Sequence, residues 1–165
     1  SGPVALETPR NVERVNVESA GQMHEAVAAR AKKADVVIMA AAVADFTPEK
    51  PAKHKLKKNG ATSVPELKLT RTVDILESVG KTKNGHVVIG FALETENELK
   101  NAKEKLQKKN LDLIILNSLK EPGDVFGSDT NVVTFVDKKG KVQKLPKMSK
   151  FDVANEILDR VKKLL

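Results

Sequence analysis

The sequence predicts an α/β fold. It reads as a Rossmann-like open, mostly parallel sheet with flanking helices, a C-terminal β-hairpin and a long insertion over about residues 46–70. Three observations predict it. Short aliphatic runs alternate with segments of helical period, the sign of a parallel sheet with crossover helices. Val36–Met39 and Leu111–Asn117 read as buried strands. Residues able to serve a ligand (Asp45, Phe91 and Asn117) fall at the carboxyl ends of predicted strands, where open α/β sheets bind ligands.

The elements follow in order. Arg14-Val15-Asn16-Val17 reads as a short strand. Ser19 is a candidate N-cap for a helix over Gly21–Lys33, with Met23, Ala26, Val27 and Ala31 on one face. Val36–Met39 is a buried strand that runs into the small-residue turn Ala40-Ala41-Ala42-Val43-Ala44 and ends on Asp45. Residues 41–65 have no helical period, carry Pro48, Pro51, Gly60 and Pro65, and are too long for an ordinary connection. Leu67 and Leu69 alternate with Lys68 and Thr70 as a half-exposed strand. Val73-Asp74-Ile75-Leu76 opens a short helix that ends near Gly80. His86–Phe91 is a strand, Glu96–Lys109 a helix with Leu99, Ala102 and Leu106 inward, and Leu111–Asn117 a strand. A loop over 118–130 leads to a hairpin, Asn131–Val136 and Lys141–Leu145, turning at Lys138-Lys139-Gly140. Ser149 and Asp152 form a capping-box-like start for the last helix, whose inner face is Val153, Ile157, Val161 and Leu164.

Composition bounds the function. The 165 residues fit a single domain over 1–165 with one substantial core. With 3% aromatic residues, five Phe and no Trp or Tyr, that core is aliphatic. Zero Cys removes disulfides, thiolate catalysis and Cys-ligated zinc, and fits a cytoplasmic protein. No apolar run of the length a bilayer needs is present, so no membrane partner is expected. The start at Ser1-Gly2-Pro3 has no signal-peptide pattern and no initiator Met, so it reads as a processed or cut end. The net charge of +7 points to anionic partners. Nucleic acid is one, but the aromatic shortage argues against a base-stacking platform.

The candidate site residues each carry a functional and a plainer reading. Asp45 can hold a ribose hydroxyl or a Mg²⁺ that escorts a triphosphate, or it is a turn residue. Phe91 can wall a base or sit in the core, and Asn117 can bind a substrate amide or hold its own turn. Lys105 and Lys109, four residues apart, share a helix face, where they either flank an anion or are solvated. The helix start at Val73-Asp74-Ile75 offers backbone N–H groups to an anion. The run Lys53-His54-Lys55-Leu56-Lys57-Lys58 can close over phosphates. His24, His54 and His86 have no metal-ligand spacing, and neither GxGxxG nor GxxxxGKS/T occurs. Gly127-Ser128-Asp129 is a turn rather than a nucleophile elbow.

Five motifs carry a family resemblance. They are Ala40-Ala41-Ala42-Val43-Ala44-Asp45-Phe46, Lys55-Leu56-Lys57-Lys58, Gly90-Phe91-Ala92-Leu93-Glu94-Thr95, Asn110-Leu111-Asp112-Leu113-Ile114 and Phe126-Gly127-Ser128-Asp129-Thr130-Asn131. In this order and spacing the chain resembles the phosphopantothenate–cysteine ligases of the bacterial, CTP-using type. The resemblance implies a two-step reaction. The carboxylate of 4′-phosphopantothenate attacks the α-phosphate of CTP, giving an acyl-cytidylate and pyrophosphate. The cysteine amine then attacks the acyl carbon and CMP leaves. Positioning and charge neutralisation dominate such chemistry.

The resemblance also implies site roles. Met39, Ala40 and Ala41 approach the nucleotide through their backbone, and Asp45 holds the nucleotide or its Mg²⁺. Lys55 is the flap lysine that closes over the reacting groups and the one residue implied to be catalytic. Val73, Asp74, Ile75 and Leu76 form the helix start beside the nucleotide, Phe91 lies next to it, and Lys105 and Lys109 are its basic neighbours. A homodimer built on the insertion is implied, as is an upstream flavin-dependent decarboxylase, whose FMN would not belong to this chain. The family's first strand, glycine-rich turn and helix have no counterpart here, so the resemblance implies CTP binding with impaired catalysis. A basic nucleic-acid-binding α/β module without enzymatic activity is the competing reading.

Overall fold

The computed structural model describes residues 1–52, 54–55, 66–118 and 128–165. In chain order the elements are α1 (Ala20–Ala31), β1 (Val36–Met39), β2 (Phe46–Pro48), β3 (Leu69–Arg71), α2 (Ile75–Lys81), β4 (Val87–Glu94), α3 (Glu98–Lys108), β5 (Leu113–Ser118), β6 (Thr130–Asn131), β7 (Val133–Asp137), β8 (Val142–Lys144), β9 (Met148–Ser149) and α4 (Lys150–Leu164). The main sheet runs β1-β4-β5-β7-β8. β1, β4 and β5 are parallel, whereas β7 and β8 are antiparallel. The predicted α/β architecture is thus present, with a parallel half and a C-terminal antiparallel hairpin.

β4 lies inside this sheet, between β1 and β5. Its apolar residues alternate between two cores. Val88 and Ala92 face α1 and α3 with Ala31, Ala102, Leu106 and Leu111. Val87 and Ile89 face α4 with Val153, Ile157 and Val161. Burial on both faces explains why these strands read as continuous apolar runs. At their amino ends the Asp112 carboxylate accepts from the Val88 N–H at 2.8 Å and the Lys83 ammonium at 2.5 Å, which fixes the register of β4 against β5.

Caps follow the sequence. Ser19 and Gln22 form a reciprocal capping box on α1. The Ser149 hydroxyl accepts from the Asp152 N–H at the start of α4. α3 ends in a left-handed residue, Asn110 (φ 51°), with the Leu111 N–H reaching back to the Leu106 carbonyl at 2.9 Å.

Several sequence expectations are corrected. Arg14–Val17 is extended but not a strand. Among the described residues its only backbone partner is Ser1, whose ammonium donates to the Val15 carbonyl and whose carbonyl accepts from the Val17 N–H, and one residue makes no ladder. Leu99 and Leu164 are exposed rather than inward: Leu99 lies one turn before the first buried position of α3, Ala102, and Leu164 one turn after the last of α4, Val161. The strand expected over 66–70 is shorter and fully exposed; it pairs with β2, which the sequence reading left unassigned. β6 and β9 form a separate two-stranded ladder at the foot of α4. Much of the expected flap, including Lys53 and Leu56–Pro65, and the loop 119–127 lie outside the described residues. No helix among the described residues is long and apolar enough to cross a membrane.

One close approach places a site residue. Gly80 of α2 lies against the end of α3: a Cβ there would collide with the Lys109 carbonyl oxygen, and the Asn110 side-chain amide donates to the Gly80 carbonyl at 3.1 Å. The obstacle is backbone, so no side-chain rotation relieves it. Gly80→Ala is expected to cost about 2 kcal/mol or more, read as a lower urea midpoint with an unchanged slope. A variant as stable as the parent chain would disprove this contact.

Candidate functional site

The turn after β1 is a run of small residues that has left the sheet. Its backbone is braced by the returning arm: the Thr72 N–H donates to the Asp45 carbonyl at 2.9 Å and the Thr72 hydroxyl to the Ala44 carbonyl at 2.6 Å. The brace brings β1's carboxyl end, the start of α2 and the end of β4 together around a cleft of about 160 Å³. Met39, Ala41, Asp45, Val73, Asp74, Ile75, Leu76, Phe91 and Lys109 line it, nine of the twelve residues singled out from sequence. Ala40 instead lines a neighbouring pocket on the α4 side, and Phe91 is common to both. Lys105 lies one turn before Lys109 and is not part of the cleft lining. Lys55 and His54 are exposed, and no interaction joins Lys55 to the cleft among the described residues.

The charges are arranged differently from the sequence expectation. Lys105 and Lys109 do not flank an open anion site. Lys109 pairs with Asp74 at 2.8 Å, and Lys105 pairs with Glu94 at 2.5 Å. The start of α2 already carries a carboxylate of its own, because Asp74 is its N-cap and accepts from the Glu77 N–H at 2.9 Å. The cleft therefore carries two carboxylates, Asp45 and Asp74, against one paired ammonium. Such a lining suits hydroxyl and amino donors, as on a ribose or a base edge, better than phosphates.

Burial pushes the Asp74 carboxyl up, but the Lys109 ammonium and the Glu77 N–H outweigh it and hold it below its ordinary value. For Glu94, burial acts upward in the same way and is outweighed by Lys105 and by the Asn101 amide, which donates at 3.1 Å. Glu94 was not singled out from sequence. Its signal was its place three residues beyond Phe91 on a strand that continues past the cleft.

No cluster of three His, Cys, Asp or Glu side chains exists among the described residues. Asp45 is exposed and its carboxylate has no ion-pair partner among them. A single carboxylate fits Mg²⁺ that arrives with a nucleotide, since Mg²⁺ commonly uses one or two carboxylates plus substrate phosphates and water.

Comparison with known proteins agrees with this fold. A family described as the DNA/pantothenate metabolism flavoprotein C-terminal domain matches residues 1–165. The coenzyme A biosynthesis bifunctional protein CoaBC of Bacillus subtilis (strain 168) is 47% identical over 162 residues, covering 98% of this chain and 39% of that protein. The crystal structure of the C-terminal domain of a CoaBC protein superposes with a TM-score of 0.80 at 39% identity, over 99% of this chain and 71% of that one. A Cab2 variant in complex with phosphopantothenate-cysteine shares the fold at a TM-score of 0.66 and 21% identity, over 91% of this chain and 53% of that one.

The lowered Glu94 value has a consequence for stability. Its folded pKa lies below the unfolded value of about 4.3, so the unfolded chain takes up the proton first on acidification. The stabilisation by Lys105 and Asn101 is therefore complete above that value and is lost as pH falls through the folded pKa. Glu94→Gln is expected to be less stable than the parent chain at pH 7 and to converge with it between about pH 5 and 3. Urea unfolding across that range measures it; a difference that does not change with pH would refute the assignment.

Proposed function

Because the chain belongs to the DNA/pantothenate metabolism flavoprotein C-terminal domain family, we propose that it is the ligase part of a coenzyme A biosynthesis enzyme. In this reading it is a cytoplasmic protein that joins 4′-phosphopantothenate to cysteine by an amide bond, with CTP and Mg²⁺ as the activating nucleotide and metal. The observation that carries it is the convergence of nine sequence-selected residues on one cleft at the carboxyl ends of the parallel strands. Asp45 and Asp74 receive the donors of the base and ribose, and Met39 and Ala41 allow close approach. Phe91 closes the far wall, and Lys55 supplies charge from the flap when the nucleotide is bound. The cleft is smaller than the roughly 300 Å³ at which ligand pockets begin, which supports completion by further chain. The outer edge of β1 supports the same point: no described strand pairs with it, and it opens onto an apolar groove of about 790 Å³. The chain spans 39% of the B. subtilis relative, so we propose CTP binding with impaired turnover in this chain alone. A flavin-dependent decarboxylase with its FMN belongs to the remainder in this reading.

The exposed Phe46, Leu67 and Leu69 on the β2–β3 arm support a homodimer paired through that arm. The competing reading, a basic nucleic-acid-binding module, rests on net charge alone. In the cleft, the lysine that the sequence offered as a phosphate ligand is already bonded to a carboxylate.

Two experiments test the proposal. Calorimetry with CTP–Mg²⁺ is expected to show binding that Asp45→Ala weakens by about tenfold, with no binding of duplex or single-stranded DNA at moderate salt. An unchanged affinity in Asp45→Ala, or steep salt-dependent DNA binding with indifference to CTP, would overturn it. Pyrophosphate release from CTP and 4′-phosphopantothenate is expected to be slow in this chain and slower still in Lys55→Gln, whose CTP affinity stays near that of the parent chain. An equal loss of affinity and turnover would make Lys55 a ground-state anchor instead.

A further inference from the structure

The turn that feeds β4 carries two reactive groups side by side. Two asparagines of the chain precede a glycine, Asn59 and Asn84, and Asn59 lies outside the described residues. Asn84–Gly85 lies between α2 and β4, and both of its residues are exposed. Gly85 has φ 84°, and the space on its Cβ side is open. Among the described residues neither the Asn84 side-chain amide nor the Gly85 N–H has a hydrogen-bond partner. Other asparagine amides are held: Asn110 donates to the Gly80 carbonyl at 3.1 Å, Asn101 to Glu94 at 3.1 Å and Asn131 to Asn117 at 3.0 Å. None of those three is followed by glycine. The residues flanking the exposed pair are anchored. Lys83 donates to the Asp112 carboxylate at 2.5 Å and to the Asn110 carbonyl at 3.4 Å. His86 is 6% exposed, and the next residue, Val87, donates its N–H to the Asp35 carbonyl at 2.9 Å where β4 begins to pair with β1.

A free main-chain N–H beside a free carboxamide is the arrangement in which an asparagine cyclises. A following glycine favours the step, because it neither shields the nitrogen nor restricts the backbone that must bend to it. We infer that Asn84–Gly85 is a self-modification site, at which the chain converts Asn84 to a mixture of aspartate and isoaspartate. The Gly85 nitrogen gives its proton to solvent and bonds to the Asn84 side-chain carbonyl carbon. The bond from that carbon to Nδ2 breaks, and the nitrogen takes up solvent protons and leaves as ammonia. Water then opens the resulting succinimide. Opening at the side-chain carbonyl gives aspartate. Opening at the main-chain carbonyl routes the main chain through the former side chain and lengthens it by one methylene. The net reaction consumes one water and releases one ammonia. The two products differ in what they do to β4. Aspartate adds a carboxylate to an exposed turn and leaves the main chain its length. Isoaspartate lengthens a turn that is held by Lys83 on one side and by His86 and Val87 on the other. The extra methylene therefore displaces either the Lys83–Asp112 bond or the entry of Val87 into the β1–β4 ladder. Asp112 also accepts from the Val88 N–H at 2.8 Å, so both routes loosen the start of β4.

Incubation of the folded 165-residue chain at mildly alkaline pH, followed by tryptic mass mapping, tests the assignment. Cleavage after Lys58, Lys68, Lys83 and Lys100 puts Asn59 and Asn84 in separate peptides, and fragment-ion sequencing separates Asn84 from Asn97. A gain of one mass unit at Asn84 is expected, mostly as isoaspartate, and faster than at Asn97 or Asn110. Asn84→Gln, whose longer side chain closes a larger ring more slowly, is expected to show no such gain at position 84. Urea unfolding reads the consequence. The aged parent chain is expected to have a lower midpoint than the fresh chain. Fresh Asn84→Asp and aged Asn84→Gln are expected to keep the midpoint of the fresh parent, and because position 84 is exposed both variants are expected to fold. Absence of the gain at Asn84, or a gain no faster than at Asn97, would overturn the site. An equal fall in midpoint in aged Asn84→Gln, or in fresh Asn84→Asp, would overturn the effect of the longer main chain on β4.

Discussion

The placement of β4 between two separate cores governs everything at its carboxyl end. Val88 and Ala92 are locked against the α1–α3 layer, and Val87 and Ile89 against α4. A strand held from both faces cannot tilt or slide without opening one of them, because interiors are close-packed. Phe91, at the end of this held segment, is therefore a fixed partition. Its side chain packs against the α4 core, and Phe91 lines both the cleft beside α2 and the pocket beside α4. On the α2 side Gly90 keeps the partition thin: a Cβ there would lie 2.6 Å from the Leu76 Cδ2 and 3.0 Å from the Leu111 Cδ1.

Electrostatics set a second layer of order. In the structure, the half-buried lysines near the cleft are matched to carboxylates: Lys109 to Asp74, Lys105 to Glu94 and, at the opposite end of β4, Lys83 to Asp112. A half-exposed pair of this kind is worth about 1 kcal/mol or less, so an incoming polyanion competes with it at small cost. The pairs thus hold the side chains near the cleft without locking them to their partners. Lys55 on the arm and Lys150 at the foot of α4 have no ion-pair partner among the described residues.

What the sequence made legible follows from burial. Val36–Met39 is a strand with the bounds its apolar run implies, because four consecutive aliphatic residues before a small-residue turn have few other places to go. The buried faces of α4 at Val153, Ile157 and Val161 were readable from their period for the same reason. The exposed pieces were not. Phe46-Thr47-Pro48 contains a proline, yet it forms a strand because Pro48 sits at the end of a two-stranded arm open to solvent. Arg14–Val17 has strand-like alternation, but alternation names a side-chain pattern and cannot supply the neighbouring strand that makes a ladder. The site was legible in its members and not in its charge state. Spacing could place Lys105 and Lys109 on one face; it could not show that Glu94 and Asp74, from a strand end and a helix cap, would reach them first.

The same logic explains why the small-residue turn needs its brace. A run of alanines after a strand has no side-chain reason to hold one conformation, and ordering each backbone residue costs about 1–2 kcal/mol. Thr72 supplies the missing constraint with two hydrogen bonds, one to each of the last two carbonyls of the turn. Those bonds come from the far end of the arm, just before α2. Whatever orders the arm therefore orders Asp45, and whatever displaces the arm releases it. The geometry of the cleft is thereby coupled to a segment that begins and ends at its rim.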